Sequence, residues 1–146
     1  MNGAKPALPE VTVTAWARLM RAQRRGLSIV EGKLKDEGFP PLEWYDVLLE
    51  LERRGPLRPR DLQATLLLAQ SNLSRLLDRM VRAGLVERSS CPDDGRGLSV
   101  AITREGKFMR NKMWPAYAEG IAEAIGMRLE RSEIEELARL LRLLIA

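Results

Sequence analysis

The sequence predicts a mainly α-helical protein with one small β-wing, and three observations carry that prediction. Over residues 70–84, apolar Leu73, Leu76, Leu77, Met80 and Val81 recur at helical spacing, while Asn72, Arg75, Asp78, Arg79 and Arg82 fall on the other side. Residues 85–90 and 98–102 alternate or run apolar like short strands, and Cys91-Pro-Asp-Asp-Gly-Arg-Gly97 between them is a turn sequence, so a hairpin with an Arg at its tip follows the helix. Long amphipathic stretches then occupy both ends of the chain.

Taken in order, residues 1–8 form a short tail. A long first helix runs from Pro9 or Glu10 to about Glu37, where Trp16, Met20, Leu27, Val30 and Leu34 make a near-heptad stripe with Gln23 as its one polar member. Such a stripe needs a partner, either the chain's own later helices or a second subunit. A second helix starts at Pro41 and stops at Gly55-Pro56. Leu57-Arg58 can add a short third strand to the wing sheet. A third helix covers residues 59–68, with Pro59 in its first turn and Asp61 suited to the positive end of the helix dipole.

A very short turn then leads to the residue 70–84 helix, giving a helix-turn-helix whose second member carries a basic face. Its first turn lacks a capping residue at Ala69, so Ser71 or Gln70 is expected to cap it. Gly84 ends this helix. Thr103 is a good N-cap for a further long helix through Met113 and Ile125, with a kink at Pro115. In the last helix Ser132 and Glu135 have the spacing of a capping box. Its Ile134, Leu137, Leu140, Leu141 and Leu144 are too many to leave in water, which puts a subunit contact at the termini.

Composition bounds the chemistry. The 146 residues, 45% of them hydrophobic, suit one domain with a core. No apolar run reaches the length of a membrane span, and the opening Met1-Asn-Gly-Ala-Lys-Pro lacks a signal-peptide core, so the expected location is cytoplasmic. There is no histidine, which removes the ordinary catalytic triad and the commonest metal ligand. No glycine-rich loop has phosphate-loop spacing. The reading is therefore not an enzyme, with no cofactor and no metal. The formal charge is only +4, but residues 58–104 hold eight Lys and Arg against five Asp and Glu, so the excess falls on the predicted helix-turn-helix and wing.

A helix followed by an Arg-tipped hairpin can grip a duplex twice, the helix in the major groove and the hairpin in the neighbouring minor groove. The run Asp94-Gly-Arg-Gly-Leu-Ser-Val-Ala-Ile-Thr103, preceded by Gly84-Leu-Val-Glu-Arg88, resembles the wing signature of the MarR family of bacterial transcription regulators. The resemblance extends over nearly the whole chain. It implies a single domain over 1–146, with dimerisation helices at 9–38 and 104–146 around a winged helix-turn-helix at 41–103. It further implies a homodimer on a pseudo-palindromic operator in double-stranded DNA, more often as a repressor than as an activator. The half-sites would lie about 34–36 Å apart.

Residue roles follow from position and from the resemblance. Gln70, Ser71, Asn72, Ser74 and Arg75 would meet bases and phosphates from the leading turn, Arg79 would reach phosphate, and Arg96 would enter the minor groove. In the family the Asp at position 94 pairs with an arginine, so Asp94 and Gly97 would shape the wing. Against this stands the plainer reading of an Arg/Asp row as a solvated helix face and of Arg96 as a turn charge. The rival function is a winged-helix dimer that docks proteins without binding an operator.

Many members of the family release DNA when a small aromatic or phenolic acid binds between the dimer helices and the winged domain. Trp16, Met20, Trp44, Tyr45 and Met113 could line such a cleft, with Arg18 or Arg21 as carboxylate partner, although aromatic and Met side chains at helical spacing are commonly core. Some members sense oxidants through cysteine near the first helix. Cys91, the one cysteine, lies instead at the base of the wing.

Overall fold

The structure, a computed structural model, describes residues 3, 5, 7–90 and 98–146. Its elements follow the expected order: α1 (Glu10–Asp36), α2 (Leu42–Arg54), α3 (Pro59–Thr65), α4 (Leu73–Arg82), β1 (Val86–Ser90), β2 (Leu98–Ile102), α5 (Arg104–Ile121), a π-helical turn (Ala122–Gly126) and α6 (Arg131–Ile145).

Two apolar clusters hold them. Val47, Leu48 and Leu51 of α2, Leu62 of α3, the inner face of α4 and Val86 and Val100 of the strands make the core of the winged region. Val30 and Leu34 of α1, Leu42 and Tyr45 of α2 and Met113 and Ala116 of α5 make a second core. Helix α2 has buried side chains in both, and Met109 packs against both, so α2 and α5 together join them. Helices α1 and α5 approach closely at Gly120, where an added Cβ would stand 2.9 Å from Val30 Cγ2. Lys33 of α1 also pairs with Glu119 at 3.3 Å and with Glu123 at 3.0 Å.

The hairpin is antiparallel, with Arg88 opposite Val100 and Ser90 opposite Leu98. The third strand reduces to one bridge, Leu57 with Val100, closed by backbone bonds of 3.0 and 2.7 Å. Gly84 leaves α4 at a φ of 76°, a left-handed value open to glycine at little cost. Thr103 caps α5 as expected, accepting from the Gly106 N–H at 3.0 Å.

Three local expectations are corrected. Helix α3 ends at Thr65 rather than at residue 68, because the Leu67 and Leu68 N–H groups turn to the Asp46 carboxylate at 3.1 and 2.8 Å. The turn of the helix-turn-helix is therefore longer, residues 66–72. Helix α4 is capped by Asn72, whose Oδ1 accepts from the Arg75 N–H at 3.1 Å, rather than by Gln70 or Ser71. The capping box of α6 is Glu130 with Glu133, two residues earlier than Ser132 with Glu135 and directly before the helix start at Arg131. Helix α5 runs unbroken through Pro115, and a π turn follows it. Pro115 and Asn111 are both exposed, so solvent can take the carbonyl that loses its donor.

Candidate nucleic-acid interface

Helix α4 divides sharply into two faces. Leu73, Leu76, Leu77 and Met80 are buried, the last two completely. Ser74, Arg75, Arg79 and Arg82 are exposed, and Asn72 and Ser71 just before the helix are exposed as well. Gln70 is half-buried, its backbone carbonyl accepting from Gln63 Nε2 at 3.1 Å. Ser74 and Arg75 thus stand on the first turn, while Gln70 and Ser71 belong to the turn that leads into it.

Two ion pairs restrain this face. Arg88 on β1 donates to Asp78 on α4 at 2.6 Å, tying the base of the wing to the helix. Arg79 faces Glu43 of α2 at 3.6 Å, so part of the charge expected to meet phosphate is already opposed within the protein. Farther along the hairpin, one pair before its last described pair, the Ser89 and Ser99 hydroxyls stand 3.0 Å apart. Arg96, Asp94, Gly97 and Cys91 lie outside the described residues.

The five residues expected to line a ligand cleft are not brought together within one chain. Trp16 and Met20 are exposed on α1, as are Arg18 and Arg21. Trp44 packs against the winged core, and Met113 is fully buried in the second core. Tyr45 alone of the five lines a cavity of about 180 Å³, whose other walls are Leu27, Leu42, Asp46, Leu49, Leu67, Leu68 and Tyr117. Tyr45, Trp114 and Tyr117 form an aromatic cluster, with Tyr45 edge-on to Tyr117 at 4.9 Å between ring centroids. The Arg110 guanidinium, paired with Glu52, also reaches the Tyr45 hydroxyl at 3.4 Å, which links α5 to α2 beside the cavity.

Asp46 is the residue that sequence reasoning missed. Asp46 is 4% exposed, its carboxylate holds the Leu67 and Leu68 N–H groups, and it forms part of the cavity wall. Burial pushes its pKa up, against the two backbone donors and with a smaller upward push from Glu50. Burial likewise raises Tyr117, with Asp46 and Tyr45 adding to the effect. The signal was available in principle: Asp46 stands one turn from Leu42 and Leu49 on the side of α2 that faces the core.

The sequence model of the MarR family matches residues 37–97, from the residue after α1 to the residue before β2. Over 108 residues the chain is 32% identical to the uncharacterized HTH-type transcriptional regulator YkoM of Bacillus subtilis (strain 168), a stretch that spans 74% of this chain and 69% of that protein. In fold it is similar to Sco3205, a MarR family transcriptional regulator from Streptomyces coelicolor solved in complex with DNA. That likeness has a TM-score of 0.85 at 23% identity and covers 99% of this chain and 91% of the other. It is similar also to BpsR of Bordetella bronchiseptica, whose DNA binding is regulated by 6-hydroxynicotinic acid, with a TM-score of 0.80 at 22% identity over 91% of this chain and 99% of that one.

Proposed function

The chain belongs to the MarR family of winged-helix transcriptional regulators, and from that premise we propose that it is a homodimeric repressor recognising a pseudo-palindromic operator. The observation that carries the reading is α4: four apolar side chains lock it to the core while Ser74, Arg75 and Arg79 face solvent beside the hairpin. Such a helix can enter a major groove without unpacking the protein. Asn72, Ser74 and Arg75 would read or position the leading edge, Gln70 and Ser71 would approach the backbone from the turn, and Arg79 would exchange Glu43 for phosphate. Arg96 would take the minor groove, with Asp94 and Gly97 shaping the wing.

The dimer reading is supported by apolar surface at both ends of the chain. Val11, Trp16, Leu143, Leu144 and Ile145 are each more than 60% exposed, more than a lone chain leaves in water. Residues 9–38 and 104–146 would form the dimer, and 41–103 the DNA-binding unit. The described helices include none long and apolar enough to cross a membrane.

The cavity supports a small aromatic effector, since about 150 Å³ of apolar space already accepts a single ring. Asp46 on its wall accepts hydrogen bonds and repels carboxylates. A phenolic hydroxyl is therefore favoured there over an ionised aromatic acid. Such a ligand would shift the protein away from DNA only by binding the two states unequally.

The deciding experiment is a titration of a fluorescent duplex carrying the gene's own upstream region against a scrambled duplex. Preference for the former establishes sequence-specific control. Equal, salt-sensitive binding to both would refute an operator in that region, and no binding at low salt would favour the protein-docking dimer.

A further inference from the structure

We infer that the cleft between α3, α4 and the base of the hairpin seats one DNA backbone phosphate, with Arg60 as its principal cation. The inference rests on the DNA-binding reading above. If α4 occupies a major groove and the hairpin the neighbouring minor groove, one sugar-phosphate strand runs between them, because that strand is the wall separating the two grooves. Whatever the protein places between α4 and the wing must meet phosphate oxygens.

What it places there is a cleft of about 580 Å³ lined by Arg58, Arg60 and Asp61 from the start of α3, Ser74 from the first turn of α4, and Arg88 and Leu98 from the strands. Arg60 is exposed and has no salt bridge among the described residues. Arg88 uses one nitrogen on Asp78 at 2.6 Å, which holds its guanidinium at the cleft with other N–H donors to spare. The Ser74 hydroxyl supplies a short neutral donor. Of the three arginines on the cleft, Arg60 and Arg88 with the Ser74 hydroxyl come from three elements and match a tetrahedral oxyanion, whereas a base edge would lie on the far side of the strand. Asp61 on the same wall opposes the anion and sets the cleft's affinity below its full value.

The test compares the wild-type protein with Arg60→Ala and Asp61→Asn on operator and scrambled duplexes between about 50 and 200 mM salt. Each variant is first checked for its fold by circular dichroism. Arg60→Ala should flatten the logarithmic salt dependence by about 0.9, so affinity falls over that range by about 3.5-fold less than in the wild type, and equally on both duplexes. Asp61→Asn should tighten both complexes. A folded Arg60→Ala with unchanged slope overturns the seat, as does a loss confined to the operator, which would mean base reading. Weaker binding by Asp61→Asn overturns it too. A wild type that binds neither duplex at the lowest salt overturns the DNA reading and the seat together; wild-type binding with an unaltered variant slope overturns the seat alone.

Discussion

At the scale of single residues, Asp46 carries two tasks that pull in opposite directions. Its carboxylate must be ionised to accept well from both Leu67 and Leu68, yet burial favours the protonated form. Because its pKa is higher folded than unfolded, the folded state holds this proton more tightly. Its contribution to stability is therefore fully present below the ordinary carboxylate range and is lost as pH rises through the raised value. Chemical denaturation across acidic pH should show the wild type losing stability relative to Asp46→Asn as pH rises; a constant difference would contradict the raised pKa. Asp46→Ala removes both acceptors and should cost about 1–3 kcal/mol at neutral pH. It should also loosen residues 66–68, read as faster amide exchange at Leu67 and Leu68. Protection unchanged from the wild type would show that another acceptor serves them.

Among elements, the corner where the hairpin returns to α5 holds the closest glycine approach among the described residues. A Cβ on Gly106 would stand 2.2 Å from the Leu85 carbonyl oxygen and 2.7 Å from Ile102 Cγ1, and backbone cannot step aside as a flexible side chain can. The same corner is tied by Thr103, whose hydroxyl donates to the Gly84 carbonyl at 2.7 Å while accepting from Gly106. Gly106→Ala should therefore destabilise the fold by about 1–3 kcal/mol despite alanine's better helix propensity. Thermal melting decides it, and an unchanged or higher melting temperature would show that the corner opens freely. The element-scale consequence is that the wing is anchored at its base on two sides, by Thr103 to the exit of α4 and by the Arg88–Asp78 pair to α4 itself.

On the scale of the whole molecule, α5 connects the DNA-facing unit to the terminal helices. It contributes Met109 to both cores and Arg110 to the pair with Glu52 of α2. In the dimer proposed above, α5 would link the packed ends to α2, and α2 carries Asp46, the clamp on the helix-turn-helix turn. Helix α6 has no buried residue in the lone chain, and Leu143, Leu144 and Ile145 are 66%, 69% and 84% exposed. Deleting residues 134–146 should convert a dimer into monomer or aggregate in sedimentation velocity, with operator affinity falling as the second half-site is lost. A soluble dimer surviving that deletion would refute the terminal interface.

The order of elements, the two faces of α4, the Gly84 exit and the Thr103 cap were legible in the sequence because each depends on residues within one or two turns of one another. Spacing along the chain alone decides such features. The resemblance in the wing was legible for the same reason, as a contiguous run. The early end of α3 was not, since Asp46 reaches it only after α2 and α3 have packed. Nor were the cavity walls, which come from α1, α2, α5 and the turn at once, or the meeting of Arg60, Ser74 and Arg88 from three elements on one cleft. Local pattern fixes which way a side chain faces on its own helix or strand; what it then meets is decided by tertiary packing, which draws together residues that no periodicity relates.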